Sequence, residues 1–284
     1  MMKSIFAVLV IGALVGCSPA DRPVETSAGE EASAAPREPD RYQEYLWCHN
    51  GPNYSKESFD ASINYWLELV EQSDLPAFGN FSIFPKFDEG NFDRIAGLIW
   101  DNKANRDAGW AAYAESGIEE KVQTKFPGVE TCAGDGSEEV FAVNVYQPRQ
   151  PSVAMSDQSE TGGIASYQFC SYNEGKEATD LRPVAIDKFG AYLDEFESAN
   201  GATSFNWAYF APEFDPNSSK KSEGVPNDYD FVWMMYWASE EEEATGMAAY
   251  AESGQGIQAE FDEVISCSDP LRYDVAVHIR PATI

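Results

Sequence analysis

The sequence has few of the groups that usually perform chemistry. It contains two histidines and five cysteines, and 19 lysines and arginines are outnumbered by 48 aspartates and glutamates. The resulting net charge of -29 repels nucleic acid and anionic headgroups, which excludes a phosphate-binding role. The sequence lacks the Gly-x-Ser-x-Gly, His-Glu-x-x-His, phosphate-loop and EF-hand calcium-loop patterns. Cys-x-x-Cys spacing is also absent, so we predict neither a catalytic motif nor a metal site.

The amino terminus has an apolar run too short to cross a bilayer, since a spanning helix takes ~20 residues. The run covers residues 5–16 and follows Lys3, which is typical of an export signal. It ends in Leu-Val-Gly-Cys at Cys17, which resembles the lipobox of bacterial lipoproteins. The resemblance implies cleavage before Cys17 and acylation of this cysteine, and Ser18 implies sorting to the outer membrane.

The segment after the lipobox lacks aromatic residues almost to its end. Residues 17–43 are rich in proline, alanine, serine and glutamate, a composition that cannot offset its ordering entropy by burying surface. We therefore divide this region into a signal peptide at 1–16 and a lipidated flexible tether at 17–43. The expected location is the cell envelope, with the membrane as a partner through the lipid anchor.

An internal repeat dominates the remaining sequence. The segment Ala-Ala-Tyr-Ala-Glu-Ser-Gly occurs at 111–117 and again at 248–254, and the same offset pairs Trp100 with Trp237. Other blocks match at shifted offsets, as loop insertions would cause. We infer a tandem duplication, with one copy at 44–149, a linker at 150–165 and a second copy at 166–284.

Each copy predicts the element order βαββαβ, which is a ferredoxin-like plan. Asn102 and Ser239 lie at matching helix starts, and Glu242 would complete a capping box with Ser239. The segment 232–237 is apolar on both alternating faces, so both faces must be covered. The predicted fold is therefore α+β, with the two sheets packed face to face as an α/β barrel within one chain. In the first copy we expect Ala96, Leu98 and Trp100 to face the partner sheet, and Ile95, Gly97 and Ile99 to face the helices.

Four cysteines remain after Cys17, and three pairings respect the repeat. In a ferredoxin-like sheet the first and last strands are antiparallel neighbours. Cys48 ends the first strand and Cys132 precedes the last, so we predict the disulfides Cys48–Cys132 and Cys170–Cys267.

A tandem pair of such units, with a tryptophan ending the third strand and a Gly-Ala-Tyr helix after it, resembles the dimeric α/β-barrel superfamily. That group includes stress-responsive barrels, cofactor-free monooxygenases and haem-binding relatives of chlorite dismutase. The resemblance covers about 44–149 and 166–281 and carries no catalytic motif to this chain.

Candidate site residues are few. An apolar pocket near the sheet interface would be lined by large side chains and one histidine, namely Trp100, Trp207, Trp233, Trp237, Met235 and His278. The alternative for the tryptophans is core filling, and His278 is either a structural strand residue or a base or haem ligand. His49 is expected in a loop.

The leading interpretation is an envelope lipoprotein with a non-enzymatic role, which binds a small apolar ligand or an envelope protein without a cofactor. One alternative is a cofactor-free barrel enzyme, oxygenase-like, acting on a small apolar substrate. The other is a haem-linked barrel protein that uses His278.

Overall fold

A computed structural model describes residues 37–87, 92–132, 140–153, 162–213 and 229–280. The predicted signal, Cys17 and the tether as far as residue 36 lie outside these residues. Residues 38–284 form one unit of the chain. Among the described residues, no helix has the length and apolarity needed to span a bilayer.

The two copies follow the same order of elements. The elements of the first copy are β1 (Arg41–Asn50), α1 (Lys56–Glu71), β2 (Gly79–Pro85), β3 (Arg94–Trp100), α2 (Lys103–Ser116), α3 (Ile118–Lys125), β4 (Glu130–Cys132) and β5 (Val140–Tyr146). Those of the second are β6 (Ile164–Tyr172), α4 (Ala178–Arg182), a π-helical turn (Pro183–Lys188), α5 (Phe189–Asn200), β7 (Asn206–Pro212), β8 (Phe231–Trp237), α6 (Glu240–Ser253), α7 (Gln255–Val264), β9 (Ile265–Cys267) and β10 (Leu271–Ile279). The ferredoxin-like plan is confirmed, and each copy adds a second helix and a short strand before its last long strand.

The sheet closes on itself. Its hydrogen-bonded order is β10-β2-β3-β1-β5-β7-β8-β6, and β6 pairs again with β10, all antiparallel. The short β4 and β9 pair outside this ring, with β1 and β6. The two copies meet at two seams, β2–β10 and β5–β7, so one chain forms the whole α/β barrel.

The barrel interior is a filled apolar core. Aromatic and branched residues from both copies occupy it, among them Tyr45, Trp47, Phe81, Ile83, Ile95, Phe141, Val143, Tyr167, Phe210, Tyr273 and Val275. Between them a void of only about 40 Å³ remains. A void of this size holds no organic ligand, so the described part of the barrel interior offers no room for a substrate.

The expected facing of β3 is wrong. Ile95 and Ile99 pack in the interior core, whereas Leu98 and Trp100 pack beneath the helices. Gly97 also faces inward, because a Cβ there would lie 2.0 Å from the ring of Phe81. The strand is apolar on both faces, so alternation alone could not assign a side.

Both predicted disulfides are confirmed. Cys48 lies directly opposite Cys132 in the β1–β4 pairing, and Cys170 lies opposite Cys267 in the β6–β9 pairing. Each bond therefore attaches a short strand to the first strand of its own copy.

The predicted helix caps are only partly as expected. Asn102 accepts the Asn105 backbone N–H at 2.9 Å, and Ser239 accepts that of Glu242 at 3.2 Å. The carboxylate of Glu242 does not complete a capping box. It accepts hydrogen bonds from the backbone N–H and the hydroxyl of Ser204 instead, which turns it toward the space under α6.

Candidate ligand cavity

The second copy contains a cavity of about 830 Å³ between its sheet and its helices. Its floor is formed by Trp233, Met235 and Trp237 of β8. Side chains of α5, α6 and α7 form its walls, including Phe189, Tyr192, Leu193, Phe196, Gly246, Met247, Tyr250, Gln258, Phe261 and Asp262. A volume of this size and an aromatic lining are typical of small-molecule sites.

The duplication explains why this copy has room for a cavity. At the repeat offset of 137, Met247 of α6 takes the position of Trp110 in α2. At the offset of 122, which pairs Cys48 with Cys170, Ser166 of β6 takes the position of Glu44 in β1. Two large side chains of the first copy are thus replaced by a flexible and a small one. Met247 is 46% exposed and lies at the cavity wall, so it borders an opening to solvent.

In the first copy the corresponding space holds a buried polar network. The carboxylate of Glu44 is 0% exposed and accepts hydrogen bonds from Trp110 Nε1 at 2.8 Å and Trp100 Nε1 at 3.2 Å. Arg106 Nε donates to the same carboxylate at 2.7 Å, which raises the pKa of the Arg106 guanidinium. These three donors satisfy the buried Glu44 carboxylate. The network thus occupies, in the first copy, the space that is a cavity in the second.

The distance between helix and strand also differs between the copies, for α2 over β3 and for α6 over β8. A Cβ on Gly109 of α2 would meet the ring of Trp100 at 2.2 Å. On Gly246 of α6 the nearest atom of Trp237 would be 3.4 Å away. The contact between helix and tryptophan is therefore looser in the copy that holds the cavity.

Stacked aromatic rings make the cavity floor rigid. Trp207 and Trp233 stack with centroids 4.6 Å apart and an interplanar angle of 3°. Phe189 contacts both rings, and Phe261 packs edge-on against Trp233 at 5.4 Å. Of the tryptophans predicted for a pocket, Trp233 and Trp237 line the cavity with Met235, and Trp207 lies behind Trp233. Trp100 is the counterpart of Trp237 in the first copy and does not line this cavity.

The cavity has polar groups at its two ends. Glu242 lies near the Trp237 end, where Ser204 also accepts the Ala238 backbone N–H at 2.7 Å. At the other end the hydroxyl of Tyr250 donates to Gln258 Oε1 at 3.0 Å, and Gln258 Nε2 donates to Asp262 at 2.7 Å. Burial, with Tyr192 and Asp262 nearby, raises the pKa of Tyr250 to about 12. Tyr250 is therefore a neutral hydrogen-bond donor at physiological pH.

His278 does not reach this cavity. It lies on β10 at the seam with β2, where its Nε2 is 2.8 Å from the hydroxyl of Ser82. Arg94 Nη1 donates to the same hydroxyl at 2.8 Å. Since Ser82 is fully buried and already accepts from Arg94, its proton points to His278, which makes His278 a neutral acceptor. His49 is exposed at the end of β1.

Sequence reasoning missed the residues that shape the cavity ends. Glu242 was interpreted only as a helix cap, and Tyr250 only as part of the repeated block. The useful signal was the mismatch between copies, at Trp110 against Met247 and Glu44 against Ser166. Positions at which the two copies carry side chains of different size therefore indicate where one copy has room for a cavity.

Haem is a cofactor that the sequence resemblance implies, and a haem site needs an axial ligand for the iron and partners for the propionates. Haem iron takes histidine, thiolate, methionine or tyrosinate as its axial ligand. Methionine ligates haem iron as the partner of a histidine. Within the described residues, the lining contains Met235 and Met247 but no histidine, lysine or arginine, and its cysteine, Cys267, is in a disulfide. Tyr250 is held protonated, and the carboxylates of Glu242 and Asp262 would repel haem propionates. The residues do not fit haem.

Comparisons with known proteins gave structural similarity only. No family model and no curated protein matches the chain. Solved structures of chlorite dismutase from Candidatus Nitrospira defluvii are similar, among them a doubly substituted variant and a singly substituted one. Both have a TM-score of 0.46 and cover 86% of this chain and 93% of theirs, at 12% and 11% identity. The complex of that enzyme with imidazole has a TM-score of 0.43 at 12% identity and the same coverage.

The expectation of a non-enzymatic role stands against similar structures that are all of an enzyme, and their likeness to this chain is one of fold alone. The identity is too low to transfer a substrate or the role of any residue to this chain. The strand pairings themselves show the architecture, an antiparallel α/β barrel formed by two ferredoxin-like halves of a single polypeptide.

Proposed function

We propose that the chain is an envelope enzyme that binds a small, largely apolar molecule in the cavity of its second half and acts on it without haem. The observation that carries this proposal is the cavity of about 830 Å³, walled by aromatic side chains and present where the first half is filled. Burying an apolar ligand against these rings supplies affinity, since apolar area removed from water contributes about 25 cal/mol per Å².

The cavity also holds groups that can accept or donate a proton next to a bound substrate. Glu242 and Asp262 provide carboxylates, and Tyr192 and Tyr250 provide phenols. Tyr192 is hydrogen-bonded to the Ser253 hydroxyl at 3.1 Å, so its ring is fixed in place. Such groups are the usual participants in general acid–base catalysis.

We further propose that a lipid on Cys17 holds this enzyme to the outer membrane. The lipobox at 14–17 and the tether that follows support the anchor. Two or more acyl chains suffice for stable membrane attachment.

A fluorescent probe tests the cavity. The uncharged probe N-phenyl-1-naphthylamine should bind with enhanced emission, because its emission rises in an apolar environment. Met247→Trp should lower its affinity at least tenfold, because the tryptophan reproduces the closed state of the first half. Ala248→Trp adds the same bulk on an exposed neighbouring position and should leave binding unchanged.

The enzymatic part is tested with compounds that displace the probe. Each is incubated with the protein in air, and its conversion is followed by mass spectrometry together with dioxygen uptake. Conversion should fall in Met247→Trp and persist in Ala248→Trp. Compounds that displace the probe and are never converted would contradict an enzyme, and a Soret band after haem titration that Met247→Trp abolishes would contradict haem independence.

A further inference from the structure

The chemistry of the cavity ends indicates which charge a substrate carries. We infer that the substrate is an organic cation, with an aromatic or apolar body and a positively charged amine at one end. This inference rests on the proposed function and adds the substrate class to it.

The first observation is a carboxylate, that of Glu242, that forms no ion pair with any residue the structure describes. Four glutamates occupy the first turn of α6. Glu240 pairs with Lys86 at 2.8 Å, and Glu243 forms a two-point ion pair with Arg272. Glu242 instead faces the cavity, and among the described residues its partner is the neutral Ser204.

The second observation is the contrast with the first half. Asn105 takes the position of Glu242 there, and the buried carboxylate of that half, Glu44, is neutralised by Arg106. The second half has lost this internal cation, because Glu243 takes the place of Arg106. A negative charge at the cavity with no basic residue in its described lining leaves the positive charge to the ligand.

The third observation is the aromatic lining between the two ends. Trp233, Trp237 and Tyr250 all border the cavity, and the faces of such rings attract cations. Asp262 provides a second carboxylate at the far end, and among the described residues it forms no ion pair. A cationic ligand would gain from the rings and from either carboxylate, whereas an anion would be repelled by both.

Three naphthalene compounds that differ in charge test this inference. They are 2-naphthylmethylammonium, 2-naphthylmethanol and 2-naphthoate, and their binding to the full folded chain is measured by calorimetry. The ammonium compound should bind about tenfold more tightly than the alcohol, with the difference shrinking at high salt. The naphthoate should bind most weakly.

Single substitutions identify the carboxylate responsible. Glu242→Gln keeps the shape and hydrogen-bonding capacity and should remove most of the preference for the ammonium compound while leaving the alcohol's affinity unchanged. Glu241→Gln, in the same helical turn but outside the cavity lining, is the matched control and should retain the preference. If Asp262→Asn has the larger effect, the amine lies at the opposite end.

The outcomes separate this inference from the proposed function. If none of the three compounds binds and the neutral probe also fails, the proposed function is wrong. If the alcohol and the ammonium compound bind equally, or the naphthoate binds most tightly, the cavity stands and the cationic substrate class is overturned.

Discussion

At the scale of single residues, His278 shows how a neutral group is held in place by its neighbours. Burial, together with the charge of Arg94, lowers the pKa of His278 to about 4, and Asp60 opposes this only weakly. The imidazole accepts a hydrogen bond from the Ser82 hydroxyl, so protonation of the imidazole would both break this bond and place a second cation beside Arg94.

We therefore expect stability to depend on pH between about 6.5 and 4. In that window the unfolded chain binds a proton at this histidine and the folded chain does not, so the contribution is present above pH 6.5 and is lost as the pH falls. Its size is on the order of 3 kcal/mol at most. His278→Gln should reduce the slope of unfolding free energy against pH, measured by urea denaturation. Parallel slopes for wild type and His278→Gln would contradict this account.

The structural roles of single residues were only partly predictable from the sequence. The caps at Asn102 and Ser239 follow from local hydrogen bonding, which a short window of sequence contains. The role of Glu242 does not, because Ser204 is distant in sequence and competes for its carboxylate. The side to which Trp100 points was also out of reach, since both faces of β3 are apolar.

At the scale of elements, the two disulfides fasten the short strands β4 and β9 to the barrel. Their cysteines are 84 and 97 residues apart, and loops of this length are worth about 4–5 kcal/mol in the chain-entropy model. The prediction of both pairs succeeded because antiparallel first and last strands leave one geometric solution. The short strands themselves and the helix α3 were not foreseen, since three-residue strands have no periodicity to detect.

The two bonds should differ in their functional effect. Replacing Cys48 and Cys132 by serine should lower the free energy of unfolding by about 4 kcal/mol and leave probe binding intact. Replacing Cys170 and Cys267 should cost a similar amount and also weaken probe binding, because Cys267 lines the cavity. Denaturation curves and probe titrations of the two double variants measure this, and equal effects on binding would be inconsistent with a cavity at β9.

At the scale of the whole molecule, the duplication was the most reliable guide. Matching blocks in the same order, at offsets shifted by loop insertions, predicted two homologous halves, and a strand apolar on both faces predicted that the halves share a core. The sequence left open whether the space between the sheets is a pocket or a solid core, because periodicity cannot show that interior aromatic side chains fill the barrel to within about 40 Å³.

The proposed anchor is a property of the entire chain and is tested on it. Expressed in a bacterium with a lipoprotein pathway, the chain should incorporate labelled palmitate and fractionate with the outer membrane. Cys17→Ser should remove the label and release the protein, whereas Ser18→Asp should keep the label and move the protein to the inner membrane. Labelling that persists in Cys17→Ser would rule out this cysteine as the attachment point.

The position of β8 inside its own half and the closure of the barrel together limit self-association. The segment Phe231–Trp237 is almost wholly apolar, a composition that favours self-association into cross-β stacks. In the folded chain β6 and β7 occupy both of its edges. Removing either half would expose the strand backbone at β2–β10 and β5–β7, where neighbouring molecules could pair. Covalent linkage of the halves thus protects the protein against aggregation, since neither has to find its partner by diffusion.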